Sequence, residues 1–200
     1  YIPSQLSQLF PLRYLERTWK MEETEFNRAE KLYTAQNLQN ILETFRKHFP
    51  SYVYFCPFRG KEIVSAPLRL IEKVFDPRDC LRRIIEAGKR DPLQNLAVEL
   101  VGLLSAESSV PFGDFGIHGS LALGMPTAES DIDLAVYGAE NFQLLETAIN
   151  KLVNEELLSY VSTRKLDKVR RHRGRYRGKT FVYTAVRKTE EVTSKYGEYR

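Results

Sequence analysis

Residues 115–137 read FGIHGSLALGMPTAESDIDLAVY. A short apolar approach, Phe115 and Ile117, runs into Gly119-Ser120. Ten residues interrupted by Gly124 and Pro126 follow, and then come Ser130-Asp131-Ile132-Asp133-Leu134-Ala135-Val136-Tyr137. Successive side chains of a strand point to opposite faces. The last eight residues therefore set Asp131 and Asp133 on one face, with Ile132, Leu134 and Val136 on the other. The spacing predicts a strand, a Gly-Ser turn, a brief helix and a second strand that carries two acids.

Two carboxylates about 6–7 Å apart along a strand repel each other unless a cation lies between them. Hard oxygen donors select Mg²⁺ or Mn²⁺ over zinc. A pair of such ions about 3.5–4 Å apart serves in-line phosphoryl transfer. Glycine lets the backbone approach a ligand closely. A turn that opens into a helix offers N–H groups to an anion, and a serine hydroxyl adds one donor. Leu121-Ala122-Leu123 fits the first helical turn, ended by Gly124. An anion cradle at Gly119 and Ser120 with a cation-binding pair at Asp131 and Asp133 describes a site for a nucleoside triphosphate with Mg²⁺. The plainer reading is an ordinary turn followed by two exposed strand acids; the joint spacing favours the site.

Gly-Ser, ten residues, then Asp-Ile-Asp-Leu resembles the signature of the polymerase-beta-like nucleotidyltransferase superfamily. The flanking HGSLALG…SDIDLAVYG also resembles a group of predicted archaeal nucleotidyltransferases of unassigned substrate. The resemblance implies an α/β (α+β) core, a mixed sheet flanked by helices. It implies that Asp131 and Asp133 are catalytic ligands of Mg²⁺ or Mn²⁺, and that Gly119 and Ser120 hold the phosphates of an NTP, ATP among the candidates. The implied reaction moves a nucleoside monophosphate to a hydroxyl of RNA, protein or a small molecule, by a two-metal mechanism. The superfamily pattern has a third carboxylate on a later strand, and here the chain departs from it. The strand expected over 180–186 holds no acid, and Asp167, Glu190 and Glu191 flank it without the matching spacing. Two other readings stay open on that account: a non-catalytic nucleotide- or RNA-binding module, and an antitoxin-like partner protein on the same fold.

Composition bounds the rest. The 200 residues, 42% hydrophobic and 28% charged, suit a globular protein of one large or two small domains. No apolar run reaches the length of a membrane span, and Tyr-Ile-Pro-Ser-Gln is not a signal peptide. The start without Met suggests a segment of a longer chain. Cys56 and Cys80 lie far apart without a metal-ligand pattern. They read as buried free thiols in a reducing cytoplasm, and a zinc site fails on ligand count. Net charge is +4. Much of it comes from residues 165–188, where Lys165, Lys168, Arg170, Arg171, Arg173, Arg175, Arg177, Lys179, Arg187 and Lys188 face one acid, Asp167. That block, interleaved with Tyr176, Phe181 and Tyr183, is either a solvated face or a contact for RNA, another nucleic acid or a triphosphate. Arg171 and Arg173 are the candidate contacts.

Around this centre, residues 13–49 read as charged and helical, with an amphipathic helix over 30–49 (Leu32, Ala35, Leu38, Ile41, Leu42, Phe45) stopped by Pro50. Residues 51–56 are β-rich, 62–64 suit a short strand, and 78–87 suit a helix closed by Gly88. Asp91 caps and Pro92 opens a helix to about residue 105, striped by Leu93, Leu96, Ala97, Leu100, Val101 and Leu104. A helix over 141–158, a strand over 158–162, a ragged hairpin around Gly174 and Gly178, and a strand over 179–186 complete the alternation. The expected division is an accessory region, 1–90, followed by a nucleotidyltransferase core, 91–200. Three side chains near the motif receive modest roles: His118 satisfies a backbone carbonyl, Ser130 caps the loop, and Thr127 belongs to the turn after Pro126.

Overall fold

The computed structural model describes residues 1–31, 34–161 and 173–186. Asp167, Arg171, Glu190 and Glu191 lie outside the described residues, as do Lys165, Lys168, Arg170, Arg187 and Lys188. The chain separates into two compact units, Tyr1–Val74 and Phe75–Arg200. This boundary falls earlier than the residue-90 position expected from the sequence. The reason is the helix Pro77–Glu86, whose Leu81 and Ile84 join the core of the second unit.

In the first unit, β1 (Ile2–Pro3), β2 (Trp19–Met21) and β3 (Thr24–Asn27) form an antiparallel sheet in the order β1-β3-β2. This corrects the helical reading of 13–29. Charge density there mimics a helix, yet Trp19, Met21, Thr24 and Phe26 keep a period of two. Trp19 faces Phe26 across the pair and is buried. The amphipathic helix is present as α1 (Ala35–His48), with the Thr34 hydroxyl accepting from the Asn37 N–H. A hairpin of β4 (Val53–Cys56) and β5 (Lys61–Val64) follows.

The second unit begins with α2, the helix Pro77–Glu86, and α3 (Pro92–Ser108). Asp91 and Gln94 close a reciprocal capping box on α3, because each side chain takes a backbone N–H that the helix start leaves free. Then come β6 (Phe115–His118), the single helical turn α4 (Gly119–Ala122), β7 (Ile132–Tyr137), α5 (Ala139–Asn154), β8 (Ser159–Tyr160), β9 (Arg173–Tyr176) and β10 (Lys179–Val186). The sheet order is β6-β7-β10-β9-β8. Among the described residues β7 and β10 pair in parallel and the other neighbours antiparallel, so the sheet is mixed, as the α/β reading requires.

Alternation turns one face of β6, β7 and β10 into the core. Ile132, Leu134 and Val136 of β7, Ile117 of β6 and Phe181 of β10 pack with Leu100, Val101 and Leu104 of α3 and with Leu145, Ile149 and Leu152 of α5. Burying an aliphatic side chain of this size contributes about 1.5–3 kcal/mol, so this one face anchors the sheet. On the opposite face, at the β6 edge, the strand meets the start of α2. There Gly116 admits the α2 start so closely that a Cβ on it would lie 2.6 Å from Pro77. Arg78 of α2 then stacks 3.9 Å above the Tyr137 ring and pairs with Asp114 at 2.8 Å. Asn141 donates to Asp114 and to the Tyr137 carbonyl, tying the end of β7 to the start of α5.

Candidate active site

The face of β7 opposite Ile132 and Leu134 carries Asp133, and the other described candidates lie close to it in the chain or across the sheet. Registers place His118 opposite Asp133, Asp133 opposite Val182, and Val182 opposite Arg173. These four residues form one row across β6, β7, β10 and β9 on a common face. Asp131 precedes β7 by one residue, with fully buried Ile132 between it and Asp133. Both aspartates keep partial solvent access. The expected sharing of one wet face follows from the burial of Ile132 on the other.

Gly119 sits where β6 turns into α4, at φ +66°, a left-handed conformation that costs other residues strain. Its missing side chain also makes room. A Cβ on Gly119 would lie 1.9 Å from Asp133 Oδ2 and 2.8 Å from its Cγ. The second carboxylate therefore rests directly against the glycine bend. Ser120, one residue on, is partly buried, and its carbonyl accepts from the Met125 N–H at 2.9 Å. The N-cap residue His118 puts no side chain onto the turn's N–H groups.

The loop between the two halves of the motif is pinned. Thr127 N–H donates to Ser130 Oγ at 2.9 Å, and Ser130 N–H returns a bond to the Thr127 carbonyl at 3.0 Å. Ser130 thus caps the loop, as its position suggested. Lys179 Nζ donates to the Ala128 carbonyl at 2.6 Å. On the α3 side of this loop lies an apolar cavity of about 480 Å³, lined among others by Leu93, Leu96, Pro126 and Lys179. His118 departs from its expected role. Its Nε2 lies 3.3 Å from the Thr184 hydroxyl rather than on a backbone carbonyl. Thr184 donates to the Leu134 carbonyl, which leaves its oxygen to accept from the imidazole. Nothing in the sequence pairs these two residues; the strand order does.

Of the two candidate arginines, only Arg173 is described. Its Nη2 lies 3.7 Å from Asp131 Oδ2, with both side chains about one-third exposed. The site face of β10 presents Thr180, Val182 and Thr184, so no carboxylate stands opposite Asp133 on that strand.

The donor set suits a divalent cation that a ligand helps to hold. Among the described residues, no three His, Cys, Asp or Glu side chains are grouped as a complete metal cage. Mg²⁺ is ordinarily bound by one or two carboxylates plus substrate phosphates and water, which is what Asp131 and Asp133 beside the Gly119 bend can offer. Both cysteines are free thiols; Cys80 is buried and Cys56 half-buried. Among the described residues no helix is long and apolar enough to cross a membrane.

Comparison with known proteins agrees with this geometry. Residues 106–193 match the family model described as a nucleotidyltransferase domain. The match opens at the end of α3 and takes in β6 to β10 with the whole Gly-Ser and Asp-Ile-Asp constellation. This part of the chain is similar to nucleotidyltransferase domains, which is consistent with the polymerase-beta-like superfamily. No curated protein and no solved structure matches the chain.

Proposed function

We propose that the second unit binds an NTP together with Mg²⁺ or Mn²⁺ and transfers its nucleoside monophosphate to a hydroxyl acceptor. The observation that carries this reading is the Asp133 carboxylate seated against Gly119. It brings the cation-binding and anion-binding halves of the motif to one surface, which an ordinary turn with exposed strand acids does not require. Gly119 and Ser120 hold the polyphosphate, Asp131 and Asp133 fix the cations, and Arg173, with Arg171 near it in sequence, adds positive charge for phosphate or nucleic acid. When bound, the divalent ions neutralise charge on the phosphorus oxygens. In the transfer, the acceptor hydroxyl oxygen bonds to the α-phosphorus. The bond from that phosphorus to the bridging oxygen breaks, its electron pair leaves with pyrophosphate, and the hydroxyl proton passes to solvent.

The basic composition of 165–188 favours RNA among acceptors. Free thiols and the use of NTP and Mg²⁺ fit a cytoplasmic setting. The test is incubation of the full chain with each labelled NTP, Mg²⁺ or Mn²⁺, and RNA, protein or small hydroxyl acceptors. Wild type labels one acceptor class, and the Asp131→Asn/Asp133→Asn variant falls by about a hundredfold or more. Equal labelling by both proteins, or by neither, argues against transfer.

A second reading has its own observation. Thr180, Val182 and Thr184 leave the site face of β10 without the third carboxylate of the superfamily pattern. A module that binds NTP and metal without turnover is supported by metal-dependent binding that needs Asp131 and Asp133 while no acceptor is labelled.

A further inference from the structure

We infer that Arg173 is an exchangeable counter-ion: it neutralises Asp131 while the site is empty and passes to the polyphosphate when a divalent cation takes Asp131. This rests on the nucleotidyltransferase reading of the site and deepens it.

Three features of the guanidinium point the same way. Its pairing with Asp131 is loose: 3.7 Å from Nη2 to Oδ2, with about one-third of each side chain open to water. A settled Arg–carboxylate pair closes to about 2.7–2.9 Å, commonly with two parallel bonds. Second, Arg173 Nε is buried and has no hydrogen-bond partner among the described residues. A buried donor left unmade is costly, and such groups call for an explanation that includes an arriving ligand. Third, the cross-strand neighbour between Arg173 and Asp133 is Val182, which offers no charge to hold the guanidinium in place. Among the described residues Arg173 thus has one weak anionic partner, and it keeps a spare donor on the face that carries Asp133 and the Gly119 bend.

A divalent cation and a guanidinium cannot share one carboxylate without repulsion. The cation displaces Arg173 from Asp131, and a phosphate oxygen is the acceptor that suits a freed, planar, multi-donor group. Metal and polyphosphate binding are coupled through this exchange, so each strengthens the other.

The coupling gives opposite signs for one substitution, which a merely structural arginine does not. The full chain is titrated with Mn²⁺ alone, followed by the signal of free Mn²⁺ in electron paramagnetic resonance, and then with inorganic tripolyphosphate at saturating Mn²⁺ by calorimetry. Arg173→Met is expected to bind Mn²⁺ alone about threefold to tenfold more tightly, and tripolyphosphate about tenfold more weakly. Arg173→Lys keeps a charge and is expected to bind Mn²⁺ as wild type does, with intermediate tripolyphosphate affinity. Circular dichroism confirms that each variant is folded. Loss of both affinities in Arg173→Met, or no change in either, overturns the exchange. The reading beneath it is checked separately: Asp131→Asn must weaken Mn²⁺ binding. If Asp131→Asn and Asp133→Asn both bind Mn²⁺ like wild type, the metal site itself is wrong, whatever Arg173 does.

Discussion

Asp133 occupies the space that a side chain on Gly119 would need: its Oδ2 lies 1.9 Å from where the glycine's Cβ would be built. The contact joins the end of one strand to the second residue of its antiparallel neighbour, where His118 and Asp133 stand opposite each other. The bend proposed to bind an anion and the carboxylate proposed to bind a cation are held against each other by the sheet register.

Gly119→Ala follows from this contact. Alanine at φ +66° costs about 1–2 kcal/mol in backbone strain, and its methyl must also expel the carboxylate. The variant is expected to melt several degrees lower and to lose metal-dependent binding of tripolyphosphate. Thermal melts and calorimetry read the two effects. Unchanged binding would show that the glycine bend does not touch the ligand.

Val182→Asp tests the open position in the row. Strands lie about 4.8 Å apart, so the new carboxylate stands beside Asp133 on the site face. Cation affinity rises with ligand charge, and Mn²⁺ is expected to bind about tenfold more tightly. The half-buried position of Val182 tolerates the change better than its buried neighbours Phe181 and Tyr183. Unaltered Mn²⁺ affinity would place the cations away from this row.

Leu134→Ala addresses the support under the site. Leu134 is fully buried between the aspartate face and the helices. Removing it is expected to cost about 2–5 kcal/mol, from lost burial and the cavity left behind. Urea unfolding followed by circular dichroism measures this as a lower midpoint with a similar slope.

Tyr183 gives a pH dependence. Burial, and then the nearby Tyr160 and Glu146, push its phenol well above the ordinary tyrosine value. The folded state therefore holds the proton more tightly than the unfolded chain, whose phenol titrates near pH ~10. The stabilisation is full below that pH and is lost as the pH rises towards the folded value. Tyr183→Phe is expected to unfold less steeply above pH ~10 than wild type, read from chemical denaturation at a series of alkaline pH values.

The sequence by itself determined what short-range geometry controls. Period two in 130–137 separated the aspartates from Ile132, Leu134 and Val136, and the structure buries the latter while leaving Asp133 partly open. Asp91-Pro92 announced α3, because a cap and a proline at the first helical position are signals held within one turn. Local reading failed where charge obscured periodicity, as in the hairpin of Trp19–Met21 and Thr24–Asn27. Only the tertiary structure decided which strand lies beside β7, and so why His118 meets Thr184, why Val182 rather than an acid faces Asp133, and why Arg173 reaches Asp131. Those pairings join segments far apart in the chain. They are fixed by the burial of one sheet face on α3 and α5, a long-range free energy that no local pattern of residues encodes.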